Sequence, residues 1–194
     1  AIDKDGKTVL ILAAYNGKKE IVELLLSKGA NIEAMDKNAD TALTWAACKG
    51  HKETVDLLLS KGANIEAADK YGNTTLISAA NGYGDNKDVV EFLLQKGAKL
   101  ESTNRSGDTV LSAAIRNGKQ KTVSFLIEKG ANIEATHQSQ MIALIKASMK
   151  GEKEAIKFLS EEGKSIYENK ENSDGAVALV LMAEKGYKEA VEFL

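Results

Sequence analysis

Proline is absent from the 194-residue chain, and cysteine occurs once, as Cys48. Without proline, no helix start has its first φ angle preset by a pyrrolidine ring. A single cysteine excludes an intramolecular disulfide and any multi-cysteine zinc site, and it favours a reducing compartment. Aromatic residues make up 5% of the chain, which suits a core of Ala, Leu, Ile and Val between closely approaching helices. No apolar run approaches the roughly 20 residues that cross a bilayer. The formal charge is −2 and the pI is near 5.8, so the chain has no broad attraction for nucleic acid or an anionic membrane. The chain opens on Ala1-Ile2-Asp3-Lys4 without a signal-peptide pattern, and its last residues, Val191 to Leu194, stop inside an apolar helical pattern. Both ends lead us to expect a fragment of a longer protein.

What the chain does contain is repetition. The string KGANIEA stands at Lys28 to Ala34, at Lys61 to Ala67 and at Lys129 to Ala135. The first two copies begin 33 residues apart and the third follows the second by 68, a period that marks a repeat architecture. Leu10, Leu43, Leu76, Leu111, Leu144 and Leu179 recur at intervals of 33 or 35. Each is followed by small or apolar residues, such as Ala13-Ala14 and Ala46-Ala47, on the same helical face. A second apolar pattern closes each unit, as in Ile21-Val22 with Leu25-Leu26. Each unit is therefore read as two short amphipathic helices. Glycines punctuate them: Gly17 and Gly50 between the helices, Gly29, Gly62, Gly97 and Gly130 after the second. Thr8, Thr41, Thr74 and Thr109 stand where a hydroxyl caps the first helix. Gly82 and Gly84 mark a two-residue insertion in the third unit.

The stretch Asp3 to Ala34, DKDGKTVLILAAYNGKKEIVELLLSKGANIEA, resembles the ankyrin repeat, and the resemblance extends over essentially the whole chain. It implies an all-α solenoid of helix-turn-helix units with β-hairpin finger loops. The units fall near 3–35, 36–68, 69–103, 104–136, 137–171 and 172–194, five full repeats and a truncated sixth in one array. KGANIEA becomes the cap and finger base: Gly turns the chain, Ala and Ile pack on the neighbouring unit, and Asn and Glu face the finger. The family's usual Thr-Pro-Leu-His becomes Thr-Val-Leu-Ile or a variant, and the fifth and sixth units lose the Thr cap to Ile142 and Val177. Those two units are expected to be the least stable. Glu33, Glu66, Glu101 and Glu134 occupy the position where some family members carry a hydroxylated Asn, so no such modification is expected.

No phosphate loop, His-Glu-x-x-His or calcium-loop pattern is present, and we expect no enzyme, no cofactor and no metal site. His51, after Gly50, reads as a structural hydrogen-bonding residue; His137 has no ligand set. Cys48 reads as a half-buried, inert thiol on the inner face. Lys18-Lys19 is balanced by Glu20 and Glu23, with Lys19 and Glu23 at i, i+4 spacing.

The resemblance implies a curved slab whose first helices and fingers line a concave face that binds a protein. The positions expected to meet that partner are Tyr15, Asp40, Trp45, Cys48, Lys49, Tyr71, Asn73, Asn81, Arg105, Asp108, Arg116 and Met149. Trp45, the single tryptophan, either anchors the partner or fills space between first helices. Tyr83, in the inserted loop, is expected to project from the opposite edge. The expected protein is an intracellular, cytoplasmic monomer that binds a protein, with no nucleic acid and no membrane insertion. The alternative is a structural spacer or regulatory segment inside a larger enzyme, channel or toxin.

Overall fold

A computed structural model describes residues 2–117 and 119–132. The expected fifth and sixth units, their weaker capping and Met149 lie outside the described residues. Among the described residues there are eight helices in four pairs: α1 Val9–Tyr15 with α2 Lys19–Ser27, α3 Ala42–Cys48 with α4 Lys52–Ser60, α5 Thr75–Asn81 with α6 Lys87–Gln95, and α7 Val110–Arg116 with α8 Gln120–Glu128. The first helices stack on one another as one layer, and the second helices stack as another.

Each first helix starts at its threonine. The hydroxyls of Thr8, Thr41, Thr74 and Thr109 accept the N–H three residues on, from Ile11, Thr44, Ile77 and Ser112. Each such cap contributes about 1 kcal/mol. Thr44 returns the favour by accepting from the Thr41 N–H at 2.8 Å, a reciprocal box seen in the second unit. The helices need this help because seven residues are too few to hold a helix alone.

The second helices end in a Schellman motif written by Lys-Gly-Ala. The Gly29 N–H donates to the Leu26 carbonyl and the Ala30 N–H to the Leu25 carbonyl, both at 3.0 Å. Gly62-Ala63, Gly97-Ala98 and Gly130-Ala131 repeat the arrangement, with φ of +81°, +90°, +93° and +79° at the four glycines. The left-handed turn requires glycine, and the alanine then folds back onto the core. Ile32, Ile65 and Leu100 pack down beside it, half-buried.

The core lies between the two layers. Leu10, Leu43, Leu76 and Leu111 are buried, as are the alanines three residues later: Ala13, Ala46, Ala79 and Ala114. Alanine lets neighbouring first helices approach closely, which explains the low aromatic content. Leu58, Leu93 and Leu126 close the core from the second layer, fully buried, and each contributes roughly 1.5–3 kcal/mol by burial.

The fingers differ from the β-hairpins expected. Among the described residues there is no strand, and pairing is limited to the isolated bridges Ile2–Thr8 and Ala68–Thr74. The side chain that opens each finger does the turning. One oxygen of Asp3, Asp36, Asp69 and Asn104 accepts the N–H groups two and four residues later, at 2.8–3.0 Å. Successive fingers are then strung by single backbone bonds: Lys37 N–H to Asp5, Lys70 N–H to Asn38, Arg105 N–H to Tyr71.

Glu33 and Glu66, of the first two KGANIEA segments, reach into the next unit rather than the finger of their own. Asn31 does act locally, its side-chain oxygen accepting from the Glu33 N–H at 3.0 Å. Glu33 Oε1, however, accepts from the Asn64 N–H of the next unit at 2.8 Å. Glu66 does the same to Lys99 and Glu101 to Asn132, both at 3.0 Å. The glutamate is thus a stitch between repeats. The expected Lys19–Glu23 ion pair is not formed; the i, i+4 pair among the described residues is Lys87–Glu91, at 3.1 Å.

Candidate partner-binding face

Trp45 projects from α3, in register with Leu12 of α1 and Ser78 of α5. It is half-buried. Its Nε1–H donates to Asp36 Oδ2 at 2.9 Å, and Asp36 is itself buried at the root of the second finger. Tyr15, at the end of α1, meets the indole edge-on with ring centroids 5.1 Å apart and planes at 61°. Such a pair contributes about 0.5–1.5 kcal/mol beyond its area, so the rings are ordered before any partner arrives.

Two lysines ride on these rings. Lys7, from the first finger, places Nζ 4.4 Å from the Trp45 centroid and 5.4 Å from that of Tyr15. Lys49, at the end of α3, stands 4.2 Å from the Tyr15 centroid and 3.5 Å from that of Tyr83. A hydrogen bond with the Tyr15 hydroxyl pushes the Lys49 pKa up, keeping it charged. Tyr83 does not form a separate contact on a far edge. The insertion turns the chain so that the Tyr83 N–H donates to the Cys48 carbonyl at 3.1 Å, and Lys49 links it to Tyr15. Tyr83 is 68% exposed.

The insertion has a structural purpose too. Asp85 accepts the Lys121 N–H at 2.7 Å and the Thr122 N–H at 3.1 Å, capping α8 of the next unit. Among the described residues, none of α2, α4, α6 and α8 is capped by the side chain of its own N-cap residue. Three of those N-cap residues, His51, Asn86 and Lys119, reach backwards instead. His51 Nε2 lies 3.1 Å from the Tyr15 carbonyl; Asn86 Nδ2 donates to the Cys48 and Ala79 carbonyls, and Lys119 Nζ to that of Gly82 at 2.6 Å. His51 is therefore structural, and a Cβ at Gly17 would fall 2.6 Å from its ring.

The remaining expected positions are scattered rather than convergent. Asn73 Nδ2 donates to Asp69 at 2.8 Å and its oxygen accepts from Asn104. Asn81 accepts from Asn117 at 3.0 Å. Arg116 forms an ion pair with Asp108. Tyr71 is 58% exposed at a fingertip, with Lys70 5.1 Å from its ring. Exposed Arg105 follows the same fingertip by its N–H bond to Tyr71. Burial pushes the half-buried Cys48 thiol up, with Lys49 opposing, so the thiolate is disfavoured. Asp40 is raised to about 6, by burial first and by Asp36 second.

The sequence pattern does not join fingertip Lys7 to Trp45, nor Asp36, Tyr83 and Asp85 to this face. Their signals were distributed: Lys7 lies one unit before the tryptophan it covers, and Asp36 nine residues before it. Among the described residues no group of three or more His, Cys, Asp or Glu is placed to hold a metal ion. None of the described helices is long and apolar enough to cross a membrane.

A family model described as ankyrin repeats (3 copies) matches residues 1–69 and 66–137. No curated protein matches the chain. Ankyrin repeats are generally protein-interaction modules. With its repeated helix pairs, threonine caps and stacked two-layer core, the chain belongs to the ankyrin-repeat family.

Proposed function

We propose that the chain is an intracellular protein-interaction scaffold, monomeric and non-catalytic, that holds a protein partner on the face formed by its first helices and fingers. The observation that carries this reading is the ordered cluster of Tyr15, Trp45 and Tyr83 under Lys7 and Lys49. Tryptophan and tyrosine in such a setting are the usual anchors of an interface, because they bring large area at small entropic cost. The same reading takes the array as five full repeats and a truncated sixth. Of the positions first expected, Tyr15, Trp45 and Lys49 are its centre, and Asn73, Asn81, Asp108 and Arg116 are a rim.

The test is a pull-down from native cell extract with the wild-type chain beside a Tyr15→Ala, Trp45→Ala double variant. Far-UV circular dichroism establishes that the variant retains its helices. A protein retained by the first and lost by the folded second supports the reading. Identical eluates would sink it.

A further inference from the structure

The charges on this face are unequally compensated. On the side of the first helices and fingers, Arg116 is held by Asp108. Lys7 and Lys49 form no ion pair among the described residues; each rests on aromatic faces. They reach the same Tyr15 ring from two different units, with Nζ 5.4 and 4.2 Å from its centroid. Their ammonium groups are therefore within about one Debye length, roughly 10 Å, and act on one bound segment together. That span corresponds to about three residues of extended chain.

We propose that the partner segment held on this face is an acidic peptide, with carboxylates two or three residues apart that pair with Lys7 and Lys49 and an apolar side chain against Tyr15 and Trp45. The inference rests on the protein-binding reading above and names the chemistry of its partner. A carboxylate that approaches from solvent gains both ammonium groups without separating them from the rings. A nucleic acid fits less well. The chain as a whole carries −2, and Asp40 lies near enough to Lys7 for their charges to interact, so that a continuous polyphosphate would meet carboxylates of the protein as well as the two lysines. Spaced carboxylates avoid them.

The experiment is selection of random peptides displayed on phage against the wild-type chain, a Trp45→Phe variant, a Lys7→Gln, Lys49→Gln variant and a Lys7→Arg, Lys49→Arg variant. Each variant is first checked for wild-type helix content. We expect the wild type to enrich peptides rich in Asp and Glu. Synthetic copies should bind the glutamine variant about tenfold more weakly and the arginine variant nearly as well as wild type. Raising salt should weaken them. Peptides whose binding falls in Trp45→Phe but which are neutral or basic would overturn the acidic assignment while leaving the face intact. Acidic peptides that bind the glutamine variant as tightly as wild type would overturn it too. Failure to enrich any peptide sensitive to Trp45 would defeat both readings. Single-stranded oligonucleotide that displaces the peptides and binds more tightly would replace the peptide with nucleic acid.

Discussion

Replacing Asp40 with asparagine should stabilise the protein at neutral pH and do little in acid. In the folded chain Asp40 is raised from 3.8 to about 6, because burial in the second finger and the neighbouring carboxylate of Asp36 disfavour its charge. Asp69 adds to the effect, whereas a hydrogen bond from Thr44 and the charge of Lys7 oppose it. Between 3.8 and about 6 the folded chain keeps a proton that the unfolded chain has released. Stability therefore falls as pH rises through that window and stays reduced above it. The full separation corresponds to about 3 kcal/mol; solvent screening at a partly exposed finger brings it to about 1–2 kcal/mol. The third unit supplies the remedy, since the aligned Asn73 donates Nδ2 to Asp69 Oδ2 at 2.8 Å. Asp40→Asn should accordingly gain about 1–2 kcal/mol at pH 7.5 and only a few tenths at pH 4. Urea unfolding at both pH values, followed by circular dichroism and by Trp45 fluorescence, measures the difference between the chains, in which the other carboxylates cancel. A gain that is the same at both pH values, or a loss at pH 7.5, would refute the assignment of strain to an ionised Asp40.

Four further outcomes follow from the geometry. Ala39 holds φ of +64°, where the other fingers have Gly6, Gly72 and Gly107; Ala39→Gly should raise the urea midpoint by the equivalent of about 1 kcal/mol, and a decrease would mean the turn is unstrained. Asp85→Ala should cost about 1–2 kcal/mol and speed amide exchange at Lys121 and Thr122, the N–H groups it caps; unchanged exchange there would show that the cap contributes nothing. Leu58→Ala, at a fully buried site, should cost roughly 2–5 kcal/mol. Leu24→Lys, at a position 57% exposed, should change stability by less than about 0.5 kcal/mol by the same urea titration.

The fold was legible because every unit solves the same packing problem with the same residues. Leu10 and its successors recur because each meets the same pair of layers, and the threonine caps and Lys-Gly-Ala turns recur because each helix needs the same ends. Where the sequence misled, the partner was a backbone group, which leaves no mark on residue identity. Glu33 gave no hint that its acceptor oxygen reaches the Asn64 N–H in the next unit. The only trace was its reappearance as Glu66 and Glu101. The fingers misled for a related reason: a carboxylate at Asp36 or Asp69 satisfies the N–H groups that a hairpin ladder would otherwise pair, and the sequence pattern of either turn is the same.

The face was less legible than the fold, because variation between units marks exposed positions without saying what each one meets. Several of the variable residues vary in concert instead. Arg116 answers Asp108 and Asn117 answers Asn81, while Asn104 answers Asn73, so these side chains bond to one another across or within units. Lys7, Tyr15, Trp45, Lys49 and Tyr83 are different in kind. Their mutual contacts leave the two ammonium groups outside any close ion pair among the described residues and an exposed tyrosine at one end. No single unit contains the arrangement: Lys7 and Tyr15 come from the first, Trp45 and Lys49 from the second, and Tyr83 from the insertion of the third. A period of 33 residues reveals what each unit repeats, and by the same token hides what three unlike units build together.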